Sequence, residues 1–213
     1  MSKLATYQKL ALILFVIIEL VGFVGIISDH WHDHFVSLTP VNLVFISVVL
    51  MLFHRTFSMA ESIWMATVFI AGYLVEVLGV KTGMIFGEYS YGQGLGPKIF
   101  EVPPTMGVNW FLLCYTSVRL VNPVPFHFLV KAALSATVMV ALDAIMEPVA
   151  IAFDFWSWKS DEIPLQNYLA WWLIAFGLNS LWFVIKEKAQ NIFSGWLFIY
   201  LVVFFTVMNI VFA

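Results

Sequence analysis

Long apolar runs, each broken by a short polar segment, dominate the chain; they lie at about 10–27, 39–54, 59–80, 105–120, 126–153, 165–186 and 190–212. A helix advances about 1.5 Å per residue, so a run near 20 residues spans the hydrocarbon core of a bilayer. The pattern predicts an all-α fold, a polytopic membrane bundle of about seven transmembrane helices. The second run is short and the fifth long. Seven crossings would use about 140 residues and leave short loops only, so 1–213 is expected to form a single integral membrane domain. Lys3 and Lys9 precede the first run as in a signal peptide. The run from Leu10 to Ile27 is longer than a signal core and lacks an Ala-x-Ala site, so it is read as a retained helix.

Composition agrees with this. Hydrophobic residues make up 62% of the chain and charged ones 11%, against roughly 25% charged in a soluble domain, which excludes a soluble protein. The net charge of -3, with ten scattered Lys and Arg, provides no basic patch and argues against nucleic acid as a partner. Membrane lipid is the expected surrounding. A lone cysteine, Cys114, excludes an intrachain disulfide or a cysteine-based metal site.

Charge placement predicts orientation. With the N-terminus inside, the inner segments hold Lys3, Lys9, Arg55, Arg119, Lys131, Lys186 and Lys188, and the outer ones only Lys81, Lys98 and Lys159. The expected topology is N-in and C-out, in a cell (cytoplasmic) membrane. Segments 28–38, 81–104 and 154–164 then share the outer side. Of these, 81–104 holds five glycines and three prolines and reads as an irregular, turn-rich loop. A loop of that length in a compact domain is more often functional than idle.

Ionisable groups within membrane helices are costly, and each suggests a function. The chain has Glu19, Glu76, Asp143 and Glu147 in its apolar runs. Asp143, Glu147, Ala150 and Asp154 follow the i, i+4, i+7, i+11 spacing of one helical stripe. Helical rise puts Asp143 and Glu19 each roughly 14 Å below the outer end of its run, Glu147 roughly 8 Å and Glu76 roughly 6 Å. Those depths would allow the four carboxyls to meet. Hydrogen-bonded acids that fix helix register are one explanation. Four acids without a buried Lys or Arg also favour retention of a proton on at least one, and hence an acid.

Gly72, Glu76, Gly79 and Gly83 share a face, which admits either a packed helix or a ligand. Asn109 and Asn179 could orient water or an acid, or bond helix to helix. Aromatics crowd the outer side: Phe86, Tyr89, Tyr91, Phe100, Trp110, Phe155, Trp156, Trp158, Tyr168, Trp171 and Trp172. An interfacial belt accounts for such residues one by one. Their density beside the acids also suits a wall that stabilises a cation. His30 and His34 lie one turn apart in Asp29–His34 but at a helix end beside water, a weak metal signal; metal ligands are expected to be none. Five histidines are also too few for the spaced histidine boxes of membrane di-iron hydroxylases.

Taken together the motifs resemble the carotenoid hydratase family. The matching residues are Glu76, Gly79, Gly83, Phe86-Gly87, Tyr89, Tyr91, Leu95-Gly96, Val102-Pro103 and Trp110, then Asp143, Glu147-Pro148, Trp156, Trp158, Ile163-Pro164, Asn167 and Trp171. They cover about half of the chain. The resemblance implies addition of water to a terminal trisubstituted alkene of an acyclic carotenoid end group, giving a tertiary alcohol without oxygen or a redox cofactor; cofactors are expected to be none. The substrate would be a lipid-soluble carotenoid, and other carotenoid biosynthesis enzymes would be partners. Depth alone suggests Asp143 as the acid with Glu76 next, Glu147 to hold the attacking water, and Asp154 to return protons from the surface. The expected substrate-binding residues are Phe86, Tyr89, Tyr91, Asn109, Trp110, Trp156, Trp158, Asn167 and Trp171. A carotenoid end-group cyclase using the same cation, and a non-enzymatic substrate-binding membrane module, remain alternatives. A microbial rhodopsin is excluded because 190–213 has no lysine for retinal.

Overall fold

The structure, a computed structural model, describes residues 3–54, 56–160, 162–185 and 191–212, and among the described residues it has eight helices, seven of them on the apolar runs and a short one in the polar segment after the first run. Arg55, Lys186 and Lys188, used above for orientation, lie outside the described residues. The helices are α1 (Lys3–Ile27), α2 (His32–Ser37), α3 (Thr39–Leu52), α4 (Met59–Thr82), α5 (Thr105–Val121), α6 (Phe128–Ala152), α7 (Leu165–Val184) and α8 (Ile192–Phe212). Four of them, α1, α4, α6 and α8, are long and apolar enough to cross a membrane. The protein is thus a helical membrane protein. Their outward faces carry exposed aliphatic side chains such as Val24, Leu74 and Ile210, which suits contact with hydrocarbon rather than water.

Local sequence sets the helix ends that matter for the site. Ser58 caps α4 in a reciprocal capping box with Glu61, and Gly83 ends the helix at φ 64°, a left-handed conformation that a glycine adopts without penalty. Pro104 and Pro164 precede α5 and α7. α6 packs most extensively on α7, and α4 on α5. α5 lies at the centre of the bundle, with nearly every residue from Met106 to Val118 buried.

The loop 81–104 is less irregular than its glycines suggest. It contains β1 (Tyr89–Tyr91), which pairs antiparallel with β2 (Trp156–Trp158), with Tyr89 opposite Trp158 and Tyr91 opposite Trp156. This small sheet closes over one end of α4, α6 and α7. Gly92 fits against the turn after α6, where a Cβ would sit 2.1 Å from the Asp154 carbonyl oxygen.

Candidate active site

Three carboxyls converge beneath the β1–β2 sheet. Glu76, on the last two turns of α4, is 2% exposed and accepts three hydrogen bonds. The Tyr89 and Tyr91 hydroxyls donate to its Oε2 at 2.6 and 2.7 Å, and the Trp110 indole donates to Oε1 at 2.9 Å. The flanking glycines make this possible. A Cβ on Gly72 would lie 2.4 Å from Trp110 Cβ and Cγ, and one on Gly79 would lie 2.6 Å from the Phe86 ring and 3.0 Å from the Tyr89 hydroxyl. The small-residue face of α4 therefore admits the aromatic side chains that hold the carboxyl. Burial, and then the neighbouring Glu76, push the Tyr89 and Tyr91 phenols above their ordinary range, so both remain donors.

Glu147 on α6 has a matching arrangement. Trp156 and Trp158 alternate inward from β2, with Ser157 outward, and both indoles donate to Glu147 Oε2, at 2.9 and 3.1 Å. The Asn167 amide, at the start of α7, donates to Oε1 at 3.1 Å. Asp143 lies one helical turn deeper on α6 and is 1% exposed; neither of its oxygens accepts a close hydrogen bond, the nearby Asn167 amide donating to Glu147 instead.

These carboxyls share one cavity, lined also by Phe86, Tyr89, Tyr91, Met106, Trp156, Trp158, Asn167 and Trp171. Its free volume is about 20 Å³, the size that holds a single water molecule. Among the described residues no Lys or Arg lines it. The site is an acid cluster walled by aromatic rings. Trp110 stands behind the wall, stacked on Trp171 with centroids 4.1 Å apart.

Besides Trp110, four further expected residues fall outside the cavity. Glu19 does not join the other carboxyls; it lines a separate groove, where Tyr200 donates to it. Equal depth did not bring it to the cavity because α1 packs on α2 and α3, away from α4 and α6. Asp154 leaves the stripe because α6 ends at Ala152 and Asp154 adopts φ 52°. Its exposed carboxyl instead accepts from the Gln93 backbone N–H at 2.8 Å, closing a turn. Asn109 is buried on α5 but does not line the cavity. Asn179 donates to Ser135 at 3.0 Å, a bond between α7 and α6. Met106 lines the cavity, although an apolar residue in an apolar run carries no signal of such a role. In the histidine-rich segment, His32 Nδ1 is 2.7 Å from the Ile26 carbonyl oxygen at the end of α1. Among the described residues no three His, Cys, Asp or Glu side chains form a group suited to a metal ion.

A helical membrane bundle with a buried, aromatic-walled acid site defines the class, and comparison with known proteins gives the family. Residues 36–213 match the carotenoid biosynthesis protein family, and the chain belongs to it. A bisanhydrobacterioruberin hydratase from Haloarcula japonica is 34% identical to the chain over 110 residues, covering 47% of this chain and 37% of that protein. The matched stretch thus spans little more than a third of that relative's length. No solved structure matches.

Proposed function

We propose that the protein is a carotenoid hydratase that adds water across the terminal 1,2 double bond of an acyclic end group, of the lycopene, γ-carotene or bisanhydrobacterioruberin type. The observation that carries this reading is the contrast between one unpartnered carboxyl and two fully engaged ones in a single aromatic cavity. The Asp143 O–H bond breaks and its proton goes to C2, leaving a tertiary cation at C1. The rings of Trp156, Trp158, Trp171 and Tyr91 line the space that cation would occupy, and aromatic rings stabilise cations. Water oxygen bonds to C1, the excess proton of the oxonium passes to Glu147, and Glu147 returns it to Asp143 one turn away. The net change is the addition of one water, and both carboxyls end as they began. Glu76, with three donors on it, anchors Tyr89, Tyr91 and Trp110 rather than giving up a proton. The end group needs more room than a one-water void, so binding requires the aromatic wall to part.

The reading includes the topology: a single membrane domain of seven crossings, N-in and C-out, with this cavity toward the outer face of the cell membrane. Expression in a host that accumulates lycopene or a monocyclic carotene tests the reaction. Pigment heavier by one water supports hydration. An unchanged mass with a new ring would make the protein a cyclase, and unaltered pigment would leave the binding-module alternative.

A further inference from the structure

Phe155 and its chain neighbour Trp156 face different spaces: Trp156 lines the carboxyl cavity, and Phe155 lines a groove of about 410 Å³ formed largely by α1, α3 and α8. That volume is within the range of small-molecule sites. The lining is almost wholly apolar, and Ile17, Val21 and Val41 on its rim are more than half exposed on faces that suit lipid. One polar group interrupts it. Glu19 is 8% exposed, and Tyr200 donates to its Oε2. Its other oxygen, Oε1, accepts no close hydrogen bond, and neither does Oδ1 of Asn42, which also lines the groove and whose side chain is near enough to interact with Glu19. Both atoms are buried. Unpaired buried acceptors are costly, and more so where hydrocarbon replaces water as the alternative partner.

We propose that this groove binds a polyisoprenoid bearing a terminal hydroxyl, whose single proton is shared between the Glu19 and Asn42 acceptors while its branched chain lies along α1 and α8. Two acceptors without a donor call for a hydroxyl. An otherwise apolar wall open to lipid calls for a long hydrocarbon attached to it. The identity of the natural occupant rests on the hydratase reading: it is the tertiary alcohol formed in the neighbouring cavity, captured after release. The carboxyl cavity takes an alkene end, whereas this groove selects an end that already carries oxygen.

The test is equilibrium binding to the full chain in lipid nanodiscs, using phytanol and phytane, saturated probes that cannot be protonated at a double bond and differ only in the hydroxyl. Phytanol is expected to bind about tenfold more tightly, the size of one hydrogen bond to a buried acceptor. Glu19→Leu and Asn42→Leu should each erase that preference, and Glu19→Gln should keep part of it. Should Glu19→Leu fail to insert, Asn42→Leu at the groove edge provides the same reading. Equal binding of the two probes to the unaltered protein would overturn the proposal, because Glu19 and Asn42 would then satisfy each other. So would a preference that survives both leucine variants, or straight-chain hexadecanol binding as tightly as phytanol. Since no probe turns over, loss of this preference with intact pigment hydration rejects the groove alone. Retained preference without hydration rejects the hydratase reading and leaves the groove as a polyisoprenoid-alcohol site.

Discussion

Asp143 and Glu147 lie one turn apart on the same face of α6, yet Glu147 accepts three hydrogen bonds and neither oxygen of Asp143 accepts a close one. A carboxyl whose oxygens are engaged by indole and amide donors is fixed as an acceptor. One without partners is available to a ligand. Replacing Asp143 by asparagine retains the shape and removes the transferable proton. Turnover should fall at least about 100-fold, as when a general acid is lost, while membrane insertion is retained. Product yield at matched expression checks this. Near-normal activity in Asp143→Asn together with an inactive Glu76→Gln would move the acid to α4.

Gly72 offers a packing test of the same site. Its Cβ would meet Trp110 at 2.4 Å, and Trp110 is fully buried and stacked on Trp171, so the ring has little space to retreat. Gly72→Ala should destabilise the protein by roughly 1–3 kcal/mol through overpacking and reduce activity by displacing the indole from Glu76. Gly22, inside α1 with nothing within 4 Å of its Cβ position, is the control: Gly22→Ala should leave thermal unfolding unchanged or slightly raised. Equal behaviour of the two variants would contradict the packing account.

At the opposite end of α5, His54 is buried beside α4, its Nδ1 2.7 Å from the Tyr115 hydroxyl and its Nε2 3.9 Å from Glu61. Burial lowers its proton affinity, Glu61 partly opposes this, and Arg119 reinforces it. The folded protein therefore keeps His54 neutral while the unfolded chain takes up a proton below about pH 6.5. Its contribution to stability is complete above that value and is lost as pH falls. Thermal midpoints measured from about pH 7.5 down to about pH 5.5 should drop, and His54→Gln should show a shallower drop. An identical acid dependence in both would show that His54 has the same proton affinity in the folded and unfolded chain, contrary to the effect of its burial.

Topology can be read with reporter fusions. A reporter after Lys98 should be active outside and one after Lys188 inside, following the bias of positive residues. The reverse pattern would place the carboxyl cavity toward the cytoplasm.

Much of this architecture was legible from the order of residues, for identifiable reasons. Helices announce themselves through long apolar runs, and the i, i+4 spacing of Asp143 and Glu147 puts both on one face of α6. Glu19 shows the limit of that reasoning. Helical rise gives a depth but not a direction around the bundle, and α1 is apolar on all sides, so nothing in its pattern tells which face meets which neighbour. Asp154 shows another: the stripe is real only while the helix lasts, and α6 ends two residues earlier. The β1–β2 sheet did leave a trace. Tyr89-Ser-Tyr91 and Trp156-Ser-Trp158 share an aromatic-Ser-aromatic alternation, the period of a strand with one buried face, but its brevity within a glycine-rich loop masks it.

Protonation of the alkene by a cavity carboxyl requires the new oxygen to come from water. Its most direct test is the reaction of the purified protein with an acyclic carotenoid in ¹⁸O-labelled water without molecular oxygen, followed by mass analysis of the product. One labelled oxygen atom per hydrated end group is expected, with formation lost in Asp143→Asn. Product that forms only when molecular oxygen is supplied, and carries its oxygen rather than the label, would contradict it.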